Sequence, residues 1–152
     1  MRGVTNDRSL NMLRNILFEY KPHFSFLVEP MTVFSYQCAL FFQTLNYFLC
    51  ALTNNSNFVP KLCCLVRNDL AFHVINSITQ YISLSLSMQG KVLNVTSVYG
   101  ANSYFARRVI WFDLNNLQGP CCVLGDFNVI LSVAEVWGGF FPNNLSCAEF
   151  YD

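Results

Sequence analysis

The chain has 152 residues, enough for one domain, and 53% of them are hydrophobic, so a sizeable core can be buried. Only 12% are charged, about half the share expected of a soluble domain, and the net charge is zero, so charge gives no support for nucleic-acid binding beyond what a single basic groove could supply. Seven cysteines, an odd number, with no apolar leader among residues 1–15, point to free thiols in an intracellular compartment, nuclear or cytoplasmic.

In chain order, Thr5-Asn6-Asp7 supplies capping residues, and Leu10, Leu13, Leu17 and Tyr20 then recur at helical spacing up to Lys21-Pro22. Residues 24–28 form a short apolar run bounded by prolines, read as a buried strand ending at Glu29-Pro30. Residues 31–60 are apolar without a clean period, and Thr53 to Asn57 reads as a loop. Residues 38–52 are strongly apolar but interrupted by Gln43, Thr44 and Asn46, and are shorter than the roughly 20 residues that a membrane span needs. Four strand candidates follow, at 62–66, 70–75, 81–88 and 91–99, with Asn68-Asp69 and Gln89-Gly90 as turns. In 81–88, Ile82, Leu84 and Leu86 alternate with Ser83, Ser85 and Ser87, the pattern of a half-buried antiparallel strand. Asn102 opens a second helix with Phe105, Val109, Phe112 and Asn116 on one face, and Gln118-Gly119-Pro120 stops it. Residues 121–124 read as another buried strand, leading into Gly125-Asp126-Phe127-Asn128. Gly138-Gly139 and Pro142 mark a loop, and Ser146 is placed to cap a further helix. The vicinal pairs Cys63-Cys64 and Cys121-Cys122 lie in apolar runs without zinc-ligand spacing and read as core residues. The Asn-x-Ser/Thr triplets at Asn54, Asn94 and Asn144 read as chance matches.

Strand 91–99, helix 102–116 and strand 121–125 form a β-α-β unit, whose crossover leaves the two strands parallel. Tyr99 and Asp126 then share the carboxyl edge of the sheet, where open α/β sheets bind ligands. Asp126 and Asn128 are spaced to point to one face of an extended segment. Glu29 also closes an apolar strand. An acid beside an acid–amide pair and a phenol suits a magnesium ion and a phosphate, since magnesium takes hard oxygens and completes its shell with water and substrate. The same residues also suit a plain turn and a solvated loop acid, and spacing alone leaves both readings open.

Three strings carry a resemblance. Val123-Leu124-Gly125-Asp126-Phe127-Asn128 resembles the Gly-Asp-Phe-Asn signature of the endonuclease/exonuclease/phosphatase superfamily. Arg2-Gly3, followed by a helix and then by Lys21-Pro22-His23-Phe24-Ser25-Phe26-Leu27-Val28-Glu29, is similar to that family's opening segment and its glutamate-bearing strand. Val95-Thr96-Ser97-Val98-Tyr99-Gly100-Ala101, with Arg108 and Trp111, is similar to the strand carrying its active-site tyrosine. The order and spacing match across essentially the whole chain, in the manner of plant non-LTR retrotransposon endonucleases. The resemblance implies an α/β fold, a partial two-sheet sandwich flanked by helices and truncated at both ends, with residues 1–152 forming one incomplete domain. It implies magnesium-dependent cleavage of DNA, with Glu29 as metal ligand, Tyr99 on the scissile phosphate, Asp126 orienting and deprotonating the attacking water, and Asn128 holding Asp126 and phosphate oxygens.

The departures from the family pattern are part of the reading. By the resemblance, the family's first asparagine would fall before Met1 and its C-terminal Asp and final Asp-His pair beyond Asp152, and neither His23 nor His73 matches that histidine. Pro30 follows Glu29 where threonine is usual, Cys63 and Cys121 stand where relatives often have tryptophan, and Phe140-Phe141 replaces a charged pair. The expectation is a degenerate fragment with little or no activity. Two other classes remain: a non-catalytic nucleic-acid or protein-binding module, and a small membrane-associated protein using residues 33–52. Oligomeric state is not legible.

Overall fold

The computed structural model describes residues 6–53 and 59–129. Its elements run α1 (Asp7–Tyr20), β1 (Phe24–Val28), α2 (Tyr36–Thr44), β2 (Tyr47–Leu52), β3 (Leu62–Arg67), β4 (Ala71–Ser77), β5 (Tyr81–Met88), β6 (Lys91–Tyr99), α3 (Tyr104–Asn115) and β7 (Cys121–Asp126). The strands form two sheets, one of order β1-β3-β2 and one of order β4-β5-β6-β7. All pairings are antiparallel except β6 with β7, which is parallel, as the crossover through α3 requires. The Arg2-Gly3 opening, the Asn54 and Asn144 triplets, the Gly138-Gly139 loop and the Ser146 cap lie outside the described residues.

Three apolar clusters stack the elements into layers. Between the sheets, Leu62, Cys64 and Val66 of β3 meet Ile82, Leu84 and Leu86 of β5 and Val95 of β6, with Phe24, Phe26 and Val28 of β1 packed alongside. On the outer face of the first sheet, Cys63 and Leu65 meet Leu13 and Leu17 of α1 and Phe42 of α2. On the outer face of the second, Tyr81 and Val98 meet Ile110 of α3, joined by Trp111, Leu114, Val123 and Phe127. The strand period of two explains why adjacent Cys63 and Cys64 serve different cores. The starts of α1 and α2 are capped by side chains, since the first N–H groups of a helix have no partner within it. Asn6 Oδ1 accepts from Ser9 N–H at 2.9 Å, and Ser35 Oγ accepts from Cys38 N–H at 3.4 Å. Lys21 takes the left-handed conformation that closes α1.

Several expectations need correction. The unperiodic stretch before residue 60 contains α2, a nine-residue helix, and β2. No helix among the described residues is long and apolar enough to cross a membrane. Strand β5 is buried on both faces rather than one: Ser83 and Ser85 lie beneath α3's side of the sheet, and Ser83 meets Thr96 at 2.7 Å. Strand β7 is exposed along most of its length, Cys121 and Cys122 included, because it stands at the end of the described sheet. On α1, Leu13 and Leu17 are buried but Tyr20 is 71% exposed. The N-cap of α3 is Ser103, not Asn102, and the face that packs inward is Arg107 and Ile110, leaving Phe105, Val109 and Phe112 in solvent. The helix carries two apolar stripes, and the sheet selects the one that includes Trp111 and Leu114. Asn94 lies in β6 with its amide donating to Gln118 O at 3.0 Å.

Candidate active site at the carboxyl edge of the strands

Three strands end close together: β1 before Glu29, β6 at Tyr99 and β7 at Asp126. The first belongs to one sheet and the other two to the second, so the cluster spans the mouth of the inter-sheet layer. Tyr99 and Asp126 are direct partners in the parallel register, and Gly100 N–H donates to Asp126 O at 2.7 Å. Two glycines permit this approach. A Cβ on Gly100 would fall 2.2 Å from Phe127 O, and one on Gly125, where φ is +142°, would fall 2.0 Å from Val98 O.

Tyr99 O–H donates to Glu29 Oε1 in a short hydrogen bond across the two sheets. That bond, first, then burial and the negative charges of Glu29 and Asp126, hold the Tyr99 phenol above its ordinary range, while a hydrogen bond with the Asn128 amide opposes them. All four residues singled out from the sequence therefore interact around one phenol. Glu29 and Met31 flank Pro30 with φ of 47° and 53°, a left-handed conformation that L-residues avoid. The proline substitution leaves the carboxylate able to reach Tyr99.

Asn128 departs from the extended geometry expected of it. The strand stops at Asp126, Asn128 turns to φ 51°, and its N–H donates to Asp126 Oδ1 at 2.9 Å. This is an Asx turn, which asparagine and aspartate favour because their short side chains reach nearby backbone. The Asn128 amide donates to Gly100 O at 2.5 Å, tying the β7 end to the loop after β6.

Three supporting residues were not found in the sequence. Gln80 accepts Tyr99 N–H through its backbone carbonyl at 2.7 Å and Ala101 N–H through Oε1 at 2.8 Å. Arg107, adjacent in sequence to Arg108, is buried and donates to Ala101 O at 2.7 Å and Asn102 O at 3.1 Å. Lys61 places its Nζ 3.9 Å from Glu29 Oε1 and 5.5 Å from the Tyr99 ring centre. None sits in a motif or a period; each reaches the site through backbone bonds or pairing between distant segments. Both histidines lie apart: His23 precedes β1, at the end opposite Glu29, and His73 is exposed on β4.

The gathered donors are carboxylate, phenol and amide oxygens, the type that magnesium takes. Among the described residues no three His, Cys, Asp or Glu side chains are grouped to hold an ion by themselves. The donor type thus fits magnesium completed by water and phosphate oxygens, not a cage built from protein alone.

No protein-family model matches the sequence, and no curated protein matches it. Solved structures do. The chain superposes on the endonuclease domain of TRAS1, a telomere-specific non-LTR retrotransposon, with a TM-score of 0.60 and 11% identity over 82% of this chain and 57% of that one. It matches humanized D. rerio TDP2 carrying 14 mutations (TM-score 0.52, 12% identity, 79% and 58% of the two chains). It also matches the human Nocturnin catalytic domain with bound sulfate (0.52, 21%, 82% and 57%). The chain spans somewhat more than half the length of each. At these identities the likeness establishes the fold, that of the endonuclease/exonuclease/phosphatase proteins, with two sheets flanked by helices.

Proposed function

We propose that the cluster at Glu29, Tyr99, Asp126 and Asn128 is a phosphodiester-cleaving site acting on DNA, of the plant non-LTR retrotransposon endonuclease type, working at low rate inside the cell. The observation that carries this reading is the convergence of Glu29, Asp126 and Asn128 on Tyr99, from the ends of strands of two different sheets, at the carboxyl edge. The fold it shares with a retrotransposon endonuclease domain supports the same reading.

In this reading Glu29 would hold a magnesium ion through carboxylate oxygen, and the ion would supply charge neutralisation at the phosphate and a more acidic water. Tyr99 presents its hydroxyl beside Glu29 and, with a phosphate bound, donates to a non-bridging oxygen. Asp126 has Oδ1 engaged by Asn128 N–H, which fixes the carboxylate plane and leaves Oδ2 to take a proton from the attacking water. The water oxygen forms the new bond to phosphorus while the bond to the leaving sugar oxygen breaks, that oxygen taking its proton from solvent, and the Asn128 amide steadies the loop after β6. Neither histidine stands near enough to protonate the leaving group, which is the ground for expecting a degenerate, slow site.

A plasmid-nicking assay with and without magnesium, on the chain and its Asp126→Ala variant, tests this. Slow nicking that needs magnesium and disappears in the variant is the expected result. Nicking that survives both chelation and the substitution would remove the assignment. No nicking by a chain shown to be folded would leave a non-catalytic binding module as the better reading.

A further inference from the structure

Lys61 stands apart from the motif residues because the fold builds it into the site. Its carbonyl accepts Glu29 N–H at 2.8 Å, just beyond the last registered pair of β1 with β3, Val28 opposite Leu62. Its own N–H donates to Thr53 Oγ1 at 3.0 Å, and the same buried hydroxyl accepts Leu62 N–H at 2.9 Å. The backbone of Lys61 is therefore fixed on both sides, and its side chain rises beside Glu29. The ammonium lies 3.9 Å from the same carboxylate oxygen that accepts the Tyr99 hydroxyl, and over the face of the Tyr99 ring. A cation over an aromatic face is attracted by the ring's quadrupole, and the carboxylate adds a full opposite charge.

We infer that Lys61 is the resident cation of this site, balancing Glu29 when no metal is present and competing with a divalent cation for that carboxylate. This rests on the reading of Glu29 as a metal ligand. The two side chains keep 39% and 31% of their surface exposed, so solvent and ions reach the pair. An exposed ammonium–carboxylate contact is weak enough to exchange. A metal ion arriving at Glu29 loses part of the carboxylate's charge to Lys61 and meets a like charge a few ångströms away. Lys61 thus acts as a positioning residue that sets how much metal the site requires, and once displaced its ammonium is available to a phosphate oxygen.

The test is binding of manganese(II) alone to the full chain, read by isothermal titration calorimetry and by loss of the free-ion electron paramagnetic resonance signal, with no nucleic acid present. Lys61→Met keeps an apolar stem on the Tyr99 ring and removes the charge; Lys61→Arg keeps the charge. Lys61→Met is expected to bind about tenfold tighter than the wild type, since removing a nearby like charge shifts such equilibria by that order. Lys61→Arg is expected to bind like the wild type, and adding Glu29→Gln to Lys61→Met is expected to abolish the gain. Equal affinity in the wild type and Lys61→Met, with a loss in Glu29→Gln, would overturn the role of Lys61 and leave Glu29 a ligand. Affinity unaffected by Glu29→Gln in either background would overturn the metal-ligand reading, and this inference with it. Circular dichroism on each variant separates loss of binding from loss of fold.

Discussion

Strands β3 and β5 are buried along nearly their whole length, while β4 and β7 are exposed along most of theirs. The inner pair meets apolar layers on both faces; the outer pair has sheet on one side only in the described fold. The candidate site is divided between these regimes. Glu29 and Tyr99 hang from strands paired with β3 and β5, whereas Asp126 ends β7. The half proposed to bind is thus held by the core, and the half proposed to handle protons is held by local bonds at a strand terminus. Stability and site geometry should respond to different substitutions.

The largest expected effect is Leu84→Ala, in the layer between the sheets. Leu84 is fully buried among β3, β5 and β6 residues, and the cavity should cost about 2–5 kcal/mol in urea unfolding. A loss well below that range would mean that the two sheets repack freely and that the inner strands are not the rigid half. Gly125→Ala comes next and works against the simple contrast, because it lies in exposed β7. Its left-handed φ and the nearby Val98 carbonyl leave no room for a Cβ, so about 1–3 kcal/mol should be lost from the backbone strain. Amide exchange should accelerate in β7 while staying slow in β5. Uniform acceleration would show instead that the sheet opens as one unit.

Tyr81→Phe is a smaller change, near 1–2 kcal/mol, since it removes the bond at 2.9 Å to Asp113 and the one at 2.8 Å from Asn76. Burial, with the Asp113 bond and charge, pushes the Tyr81 phenol from 10.0 up to about 12. A raised folded value favours the neutral form, so the contribution is complete below pH 10 and is lost as pH climbs toward 12. The stability slope across that window should flatten in Tyr81→Phe without vanishing, because Tyr47 and Tyr99 are also raised. An unchanged slope would place the titration elsewhere. The smallest effect belongs to Ile75→Thr, at the register shift of β4 and 44% exposed, with a change within about 0.5 kcal/mol. A larger loss would show that the outer strand carries more of the fold than its exposure indicates.

The sequence made local structure legible where period and punctuation agree. Strands β1, β5 and β6 fall on the expected residues, and the β-α-β unit puts Tyr99 opposite Asp126 as its connectivity demands. Helix α2 was hidden because its apolar residues show little preference for one face, and its start rests on one serine. The inward face of α3 was misjudged because both stripes are apolar, and only the sheet beneath decides between Ile110 and Phe112. In the candidate site, Asp126 and Asn128 could be paired from their spacing, although the turn that joins them is not the extended geometry inferred. The bond from Tyr99 to Glu29 bridges 70 positions, and no pattern along the chain encodes it. The same holds for Lys61, whose place follows from a strand register and a buried threonine.

Cys63 and Cys64 are neighbours in the chain but guests of separate layers, one beneath the helices and one between the sheets. Burial raises both thiols, so neither reacts until its own layer opens. The two sulfurs therefore form a pair of clocks on a single peptide. Alkylation that reaches Cys63 first would mean that α1 and α2 lift away before the sheets part. Simultaneous alkylation would mean that the layers come apart together.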